Sequence, residues 1–299
     1  MIEAVGLTKL FGKKEVLKNL NCKIEKGCIY GMVGANGAGK STFLRLLSGI
    51  YFPDGGEIKI DGEKVFDNTK VKKHLLLLAD ELYFPVGATV KDVADMFAAF
   101  YDGFDYPGFE EKCKLLKFSK KDKVSTFSKG MKRQVAMISA LSCCAEYMFF
   151  DETFDGLDPV MRNLIKRFIY DKVAEGNTTV ILTSHNLREL EDICDHLGVL
   201  YQGGILFQGD LNTIKTNVFK VQVCFPGDYD KSILDPLEVL SFKKTGSVSS
   251  AVIKGDKETA EELIRSKNPV IFDLLPLTLE EIFIYEMEVL GYAFNEINI

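Results

Sequence analysis

Hydrophobic and polar positions change rhythm several times along the chain. Residues 1–30 place apolar residues in short runs. Phe11-Gly12-Lys13-Lys14 and Asn19-Leu20-Asn21 interrupt them, which predicts short strands joined by turns. Cys28–Val33 is an unbroken apolar run of strand length, and a helical pattern follows at once. In that helix Phe43, Leu44, Leu46 and Leu47 fill one side and Gly49 suits the C-terminal cap. Gly56–Asp61 alternates and closes on Asp61-Gly62, a hairpin signal. Residues 90–127 read as helices and loops, with an apolar stripe at Val93, Met96, Phe97 and Phe100. Tyr147–Phe150 and Thr179–Leu182 read as buried strands. Met161, Leu164, Ile165 and Phe168 lie between them at helical spacing, and Val199–Phe207 reads as a hairpin around Gly203-Gly204. Buried strands alternating with helices predict an α/β domain with a largely parallel sheet.

The rhythm changes again near residue 215. Strands are expected at Val218–Cys224, Leu237–Phe242 and Val248–Ile253, a helix at Glu258–Ser266 and a strand at Val270–Leu274. A last helix begins at Thr278, where Thr278-Leu279-Glu280-Glu281 fits a capping box. The expected organisation is therefore an α/β domain over 1–215, with a helical subdomain over about 84–145, and a small α+β accessory domain over 216–299.

Composition narrows the possibilities. Hydrophobic residues make up 46% of the 299 and charged residues 27%, ordinary values for a globular protein. The net charge of −6 argues against a general nucleic-acid binder. The longest stretches without Asp, Glu, Lys or Arg, Gly27–Gly39 and His196–Gly209, are glycine-rich and too short to span a bilayer. Met1-Ile2-Glu3-Ala4 carries an acid where an export signal has a basic segment, so a cytoplasmic location is expected. Seven scattered cysteines without C-x-x-C spacing are read as reduced core thiols, and no structural metal site is expected from them.

Specific chemistry enters at Gly34-Ala35-Asn36-Gly37-Ala38-Gly39-Lys40-Ser41, a full match to G-x-x-x-x-G-K-[ST] between a predicted strand and a predicted helix. Glycines let successive N–H groups curl around phosphate oxygens, and the helix N-terminus adds partial positive charge. Lys40 is expected to reach the β- and γ-phosphates, and the Ser41 hydroxyl to ligate Mg²⁺. Met148-Phe149-Phe150-Asp151-Glu152 is an apolar strand ending in two acids, which assigns Asp151 to the metal shell and Glu152 to polarising the attacking water.

These motifs, with others in order around them, resemble the ATP-binding subunits of ABC transporters over about residues 2–215. Phe127-Ser128-Lys129-Gly130-Met131 resembles the family signature, Asp155-Gly156-Leu157-Asp158 the D-loop and Thr183-Ser184-His185 the switch-histidine loop. The resemblance implies a P-loop NTPase fold of the ABC ATPase kind, with a mixed sheet core, and the cofactors ATP and Mg²⁺. It implies adenine stacking on Phe11, and nucleotide contacts from Gly34, Asn36, Gly37, Ala38, Gly39, Lys40, Ser41 and Thr42. It also implies γ-phosphate contact by His185, and contact of Ser128 and Gly130 with the γ-phosphate on a second subunit. Two ATP-binding subunits, identical or different, then close head to tail and drive a separate membrane permease from the cytoplasmic face. The surface at Leu82–Phe100 is expected to meet that permease. Plainer readings stand beside these: Phe11 as a strand aromatic, Ser128 as a helix N-cap, His185 as a loop histidine.

The sequence departs from the family pattern in three places. No glutamine precedes Gln134, and Asp80, with Glu81 as its neighbour, stands where the family places a Mg²⁺-contacting glutamine. Lys129 and Met131 replace Gly and Gln in the signature, and Thr153 replaces the proline after the acidic pair. The Phe-Ser-Lys-Gly-Met signature and the Leu279-Glu280-Glu281-Ile282-Phe283 tail resemble a subgroup whose partners are ABC-2 type exporters. The alternatives are a soluble ABC-type ATPase acting on nucleic acid or the ribosome, and a subunit that binds ATP without hydrolysing it. The separation of Lys40 from Ser128 leaves no room for the long coiled coil of DNA-repair members, and a single ATPase unit differs from the translation factors.

Overall fold

The alternating N-terminal segment forms two long antiparallel strands rather than several short ones: β1 (Ile2–Phe11) and β2 (Lys14–Ile24). Phe11-Gly12-Lys13-Lys14 is the turn that joins them, and register shifts between Ala4 and Leu10 accommodate Asn19-Leu20-Asn21 on the facing strand. This computed structural model describes residues 1–176 and 178–289. After β3 (Ile29–Val33) and α1 (Lys40–Leu47), β4 (Gly55–Ile60) and the short β5 (Glu63–Lys64) complete a four-stranded sheet in the order β2-β1-β4-β5.

The second sheet carries the chemistry. It is built from β3, β6 (Leu75–Leu78), β7 (Tyr147–Phe150), β8 (Thr179–Ser184), β9 (His196–Tyr201) and β10 (Gly204–Asp210), in the order β10-β9-β3-β8-β7-β6. The pairs β3–β8, β3–β9, β7–β8 and β6–β7 are all parallel. Strands β3, β7 and β8 are buried along their whole length, which is why they read as continuous apolar runs. The C-terminal ends of β3, β6, β7 and β8 therefore point the same way, and the loops leaving them form one rim.

Helices α2 (Thr69–Lys72), α3 (Val90–Phe100), α4 (Tyr106–Leu115), α5 (Lys129–Leu141), α6 (Pro159–Ala174) and α7 (Leu187–Glu191) complete this unit. Thr89 and Asp92 form a capping box on α3, and Asp105, Ser128 and Asp158 cap α4, α5 and α6. Of the seven cysteines, six are buried and Cys144 is exposed, and all seven are free thiols. Burial pushes the Cys22, Cys28 and Cys113 thiols up to about 11.

The chain divides at Gln208/Gly209, inside β10 and a few residues before the boundary expected at 215. The described residues from 209 to 289 form a second unit. It contains α8 (Leu211–Asn217), β11 (Val218–Cys224), β12 (Glu238–Thr245), β13 (Val248–Lys254), α9 (Lys257–Ser266), β14 (Ile271–Leu275) and α10 (Leu279–Val289). Its four strands form an antiparallel sheet in the order β12-β13-β11-β14. The expected box at Thr278 forms: Glu281 accepts from the Thr278 N–H at 2.9 Å and the Glu281 N–H donates to Thr278 Oγ1 at 3.2 Å.

Candidate active site

Strand β3 ends at Val33, and the chain turns through the glycine loop directly into α1. The turn requires its glycines. Gly39 holds φ 113°, and a Cβ there would lie 2.6 Å from a Leu17 methyl; a Cβ on Gly34 would lie 2.5 Å from the Leu200 carbonyl oxygen. Asn36 and Gly37 at the crest are exposed, whereas Gly34, Gly39 and Lys40 are buried. Ala38, Ser41 and Thr42 are partly exposed. The Lys40 ammonium donates to the Gly34 carbonyl at 2.6 Å and pairs with Glu152 Oε1 at 3.1 Å.

Glu152 comes from the end of β7. Asp151, 4% exposed, precedes it and accepts a hydrogen bond from Thr183 Oγ1 at 2.7 Å. The same hydroxyl accepts from the Glu152 N–H at 2.9 Å. His185 Nδ1 lies 2.9 Å from Glu152 Oε2. Burial alone would raise the Glu152 carboxyl, but the His185 hydrogen bond and the Lys40 ammonium outweigh it and hold the group below its ordinary value of 4.5. The carboxylate is thus kept ionised, the form a base needs. Ser184 Oγ donates to Glu189 at 2.6 Å and accepts from the Asn186 N–H at 3.0 Å, so the segment carrying His185 is tied down on both sides.

Ser128 caps α5, its Oγ accepting from the Met131 N–H at 3.2 Å. Lys129 pairs with Asp155 at 2.6 Å and holds the Asp155 carboxyl down. Gly130 lies against Gly156: a Cβ there would meet the Gly156 carbonyl oxygen at 2.5 Å. The signature and the segment 155–158 are therefore one packed pair. Phe11 is exposed at 45% and meets Tyr51 edge-on, with ring centroids 5.4 Å apart. Lys9 Nζ lies 5.5 Å from the Phe11 centroid.

Asp80 follows β6, and its carboxylate is taken by the Arg133 guanidinium. Thr183, to which the sequence assigns no role of its own, and Arg133, which it does not mark at all, thus tie the rim together. Thr183 lies near the end of β8 in the tripeptide that resembles the switch loop, but its bond to Asp151 joins residues 32 apart and has no local signal. Arg133 belongs to a basic run, Lys129 to Arg133, that looks like a solvated helix face.

The donor set can be tested against Mg²⁺. A hydroxyl from Ser41 and a carboxylate from Asp151 are hard oxygen ligands of the kind Mg²⁺ takes, with phosphate oxygens and water completing its shell. These residues fit the ion. Among the described residues no cluster of three His, Cys, Asp or Glu side chains forms a metal site of its own.

Comparison with known proteins agrees with this geometry. The family model described as ABC transporter matches residues 17–155. The chain is 30% identical over 284 residues to the ABC transporter ATP-binding protein YtrB of Bacillus subtilis, covering 95% of this chain and 97% of that one. It is 30% identical to the bacitracin transport ATP-binding protein BcrA of Bacillus licheniformis, over 78% of each chain. A solved ATP-binding subunit of an ABC transporter superposes with a TM-score of 0.64 at 24% identity, over 72% of this chain and 92% of that one. With a glycine loop entering α1, an acid pair leaving β7 and a histidine beyond β8 on one rim, the chain belongs to the ABC transporter ATP-binding proteins, whose cassettes are ATPases.

Proposed function

We propose that this protein is the ATP-hydrolysing subunit of an exporter and drives a separate permease by closing head to tail on a second ATP-binding subunit. The observation that carries this reading is the continuous chain Lys40–Glu152–His185, set at the mouth of the phosphate loop. Among the described residues no helix is long and apolar enough to cross a membrane, so the translocation path belongs to the partner. The chain then works at the membrane surface without spanning it. Relatives named for bacitracin transport and Nod factor export support export of a drug, peptide or lipid-like molecule.

In this mechanism the loop N–H groups and Lys40 hold the β- and γ-phosphates, and Lys40 exchanges its contact with Glu152 for the triphosphate. Ser41 and Asp151 would hold Mg²⁺, which when bound would supply charge neutralisation to the triphosphate. Glu152, freed from Lys40, accepts the proton of the attacking water while His185 keeps its carboxylate oriented. Phe11 offers its exposed face to the adenine. Ser128 and Gly130, at the N-terminus of α5, complete the site of the second subunit.

The groove lined by Thr69, Lys72, Lys73, Met96, Phe97, Phe100 and Tyr101 joins the apolar stripe of α3 to α2. With the exposed Tyr83 it forms the surface offered to the permease. Glu152→Gln tests the reading. It should retain ATP and slow hydrolysis by about 10²-fold or more. Light scattering should then show an ATP-dependent dimer; a monomer with unimpaired turnover would refute the assignment.

A further inference from the structure

The hydrogen bonds around Glu152 come from two sides. Arg133 is 2% exposed and lies near the start of α5. Its Nη1 donates to the Asp151 carbonyl at 3.2 Å and also to the Glu152 carbonyl. From the other side Thr183 takes the two N–H groups: Glu152 N–H donates to its Oγ1 at 2.9 Å, and Thr153 N–H donates to its carbonyl at 3.3 Å. Both peptide planes flanking the Glu152 Cα are thus held, the carbonyls by Arg133 and the N–H groups by Thr183. Glu152 itself has φ 45°, a left-handed conformation that a glutamate keeps only where its surroundings over-determine it. Freed from either side, the backbone would relax and swing the carboxylate away from Lys40 and His185.

The other half of the guanidinium reaches the loop after β6. Nη2 donates to the Asp80 carbonyl at 3.0 Å and to the Asp80 carboxylate. Arg133 Nε–H has no acceptor among the described residues, so these two loops supply the compensation for burying the cation. A buried arginine without its carboxylate would be an uncompensated charge behind the catalytic base.

We propose that Arg133 is a positioning residue that sets the Glu152 carboxylate, and that Asp80 is the counter-charge of Arg133 rather than a ligand of the nucleotide-bound Mg²⁺. This rests on the reading of Glu152 as the base in ATP hydrolysis. A planar fork serving four acceptors on two loops is something an ammonium group cannot reproduce.

The experiment uses the full chain with Arg133→Lys, Asp80→Asn and the double variant. It measures ATP hydrolysis, binding of a fluorescent ATP analogue as Mg²⁺ is titrated, and thermal melting. Arg133→Lys should lower kcat roughly 10- to 100-fold, the scale of a small misplacement of a reacting group, with KM for ATP within about twofold. Asp80→Asn should lower kcat by about three- to tenfold and leave the Mg²⁺ concentration for half-maximal binding within about twofold. In the double variant the two losses in kcat should be less than multiplicative. A shift of about tenfold or more in the Mg²⁺ midpoint of Asp80→Asn would make Asp80 a metal ligand and overturn the proposal. Unchanged kcat in Arg133→Lys, or a rise in KM alone, would overturn it equally. Should melting show Arg133→Lys unfolded, an unchanged kcat in Asp80→Asn, whose side chain is 44% exposed, overturns the proposal by itself. Wild-type protein that binds the analogue with no dependence on Mg²⁺ and does not turn over ATP would instead overturn the functional reading on which this one rests.

Discussion

Lys40 sits where burial and charge meet: at 5% exposed, its ammonium is held by the Gly34 carbonyl and the Glu152 carboxylate. Replacing it with alanine removes the cation that the triphosphate would exchange for Glu152. Charge-assisted hydrogen bonds are worth ~1.5–3 kcal/mol each, so Lys40→Ala should weaken ATP–Mg²⁺ binding by at least 10- to 100-fold in isothermal titration. Unchanged affinity would remove the phosphate loop from the mechanism. Glu152 gives a second test, in pH. Its folded pKa lies below 4.5, so the stabilisation from its pairs with His185 and Lys40 is complete above that value. It is lost as pH falls through the lower, folded value. The melting-temperature gap between wild type and Glu152→Gln should therefore stay level from pH 7 down to about 4.5 and close below it. A gap that stayed open well below that value would show that the ionised Glu152 carboxylate is not the stabilising form.

Among elements, β7 and β8 set the site because their C-terminal ends lie side by side and Thr183 bridges them. Thr183→Val keeps the shape and removes the hydroxyl, leaving Asp151 Oδ1 and the Glu152 N–H without it. The cost should be about 2–4 kcal/mol in denaturant unfolding, with hydrolysis reduced and Thr183→Ser restoring both. A silent valine variant would show that the bridge is dispensable. The glycine loop and strands β3, β7 and β8 were legible in the sequence, because a buried parallel strand is a short apolar run and a phosphate loop is a fixed spacing. The leucine run of β6 was not, although it is as long as β7: leucine is a helix former, so the residue type did not mark these four positions as a strand the way the aromatics of β7 do. The four-residue α2 is too short for periodicity, and α8 fell across the expected domain boundary. The Asp80–Arg133 pair was illegible for a different reason: it is made by tertiary placement of residues 53 apart and has no local signal.

For the whole molecule, the surface next to the site is the one that can be probed in an assembly. Tyr83 is 80% exposed beside the loop that carries Asp80. With the exposed Cys144 replaced by serine, a cysteine at position 83 should cross-link to a co-expressed permease. Cross-links formed solely from residues 209–299 would move the docking surface to the second unit. The strand order has a consequence for how the protein is made. Strands β1, β2 and β4 pair among themselves within the first 60 residues, so that sheet can form as soon as it leaves the ribosome. The neighbouring β3 has no such partner: Ile29 pairs with Val180, and Tyr30 with His196. At roughly 5–20 residues per second, β3 and the glycine loop behind it wait about 8–30 s for their neighbours to be synthesised. During that interval an apolar strand with both edges open is a natural client for a chaperone, and the nucleotide site cannot assemble until translation has passed β9.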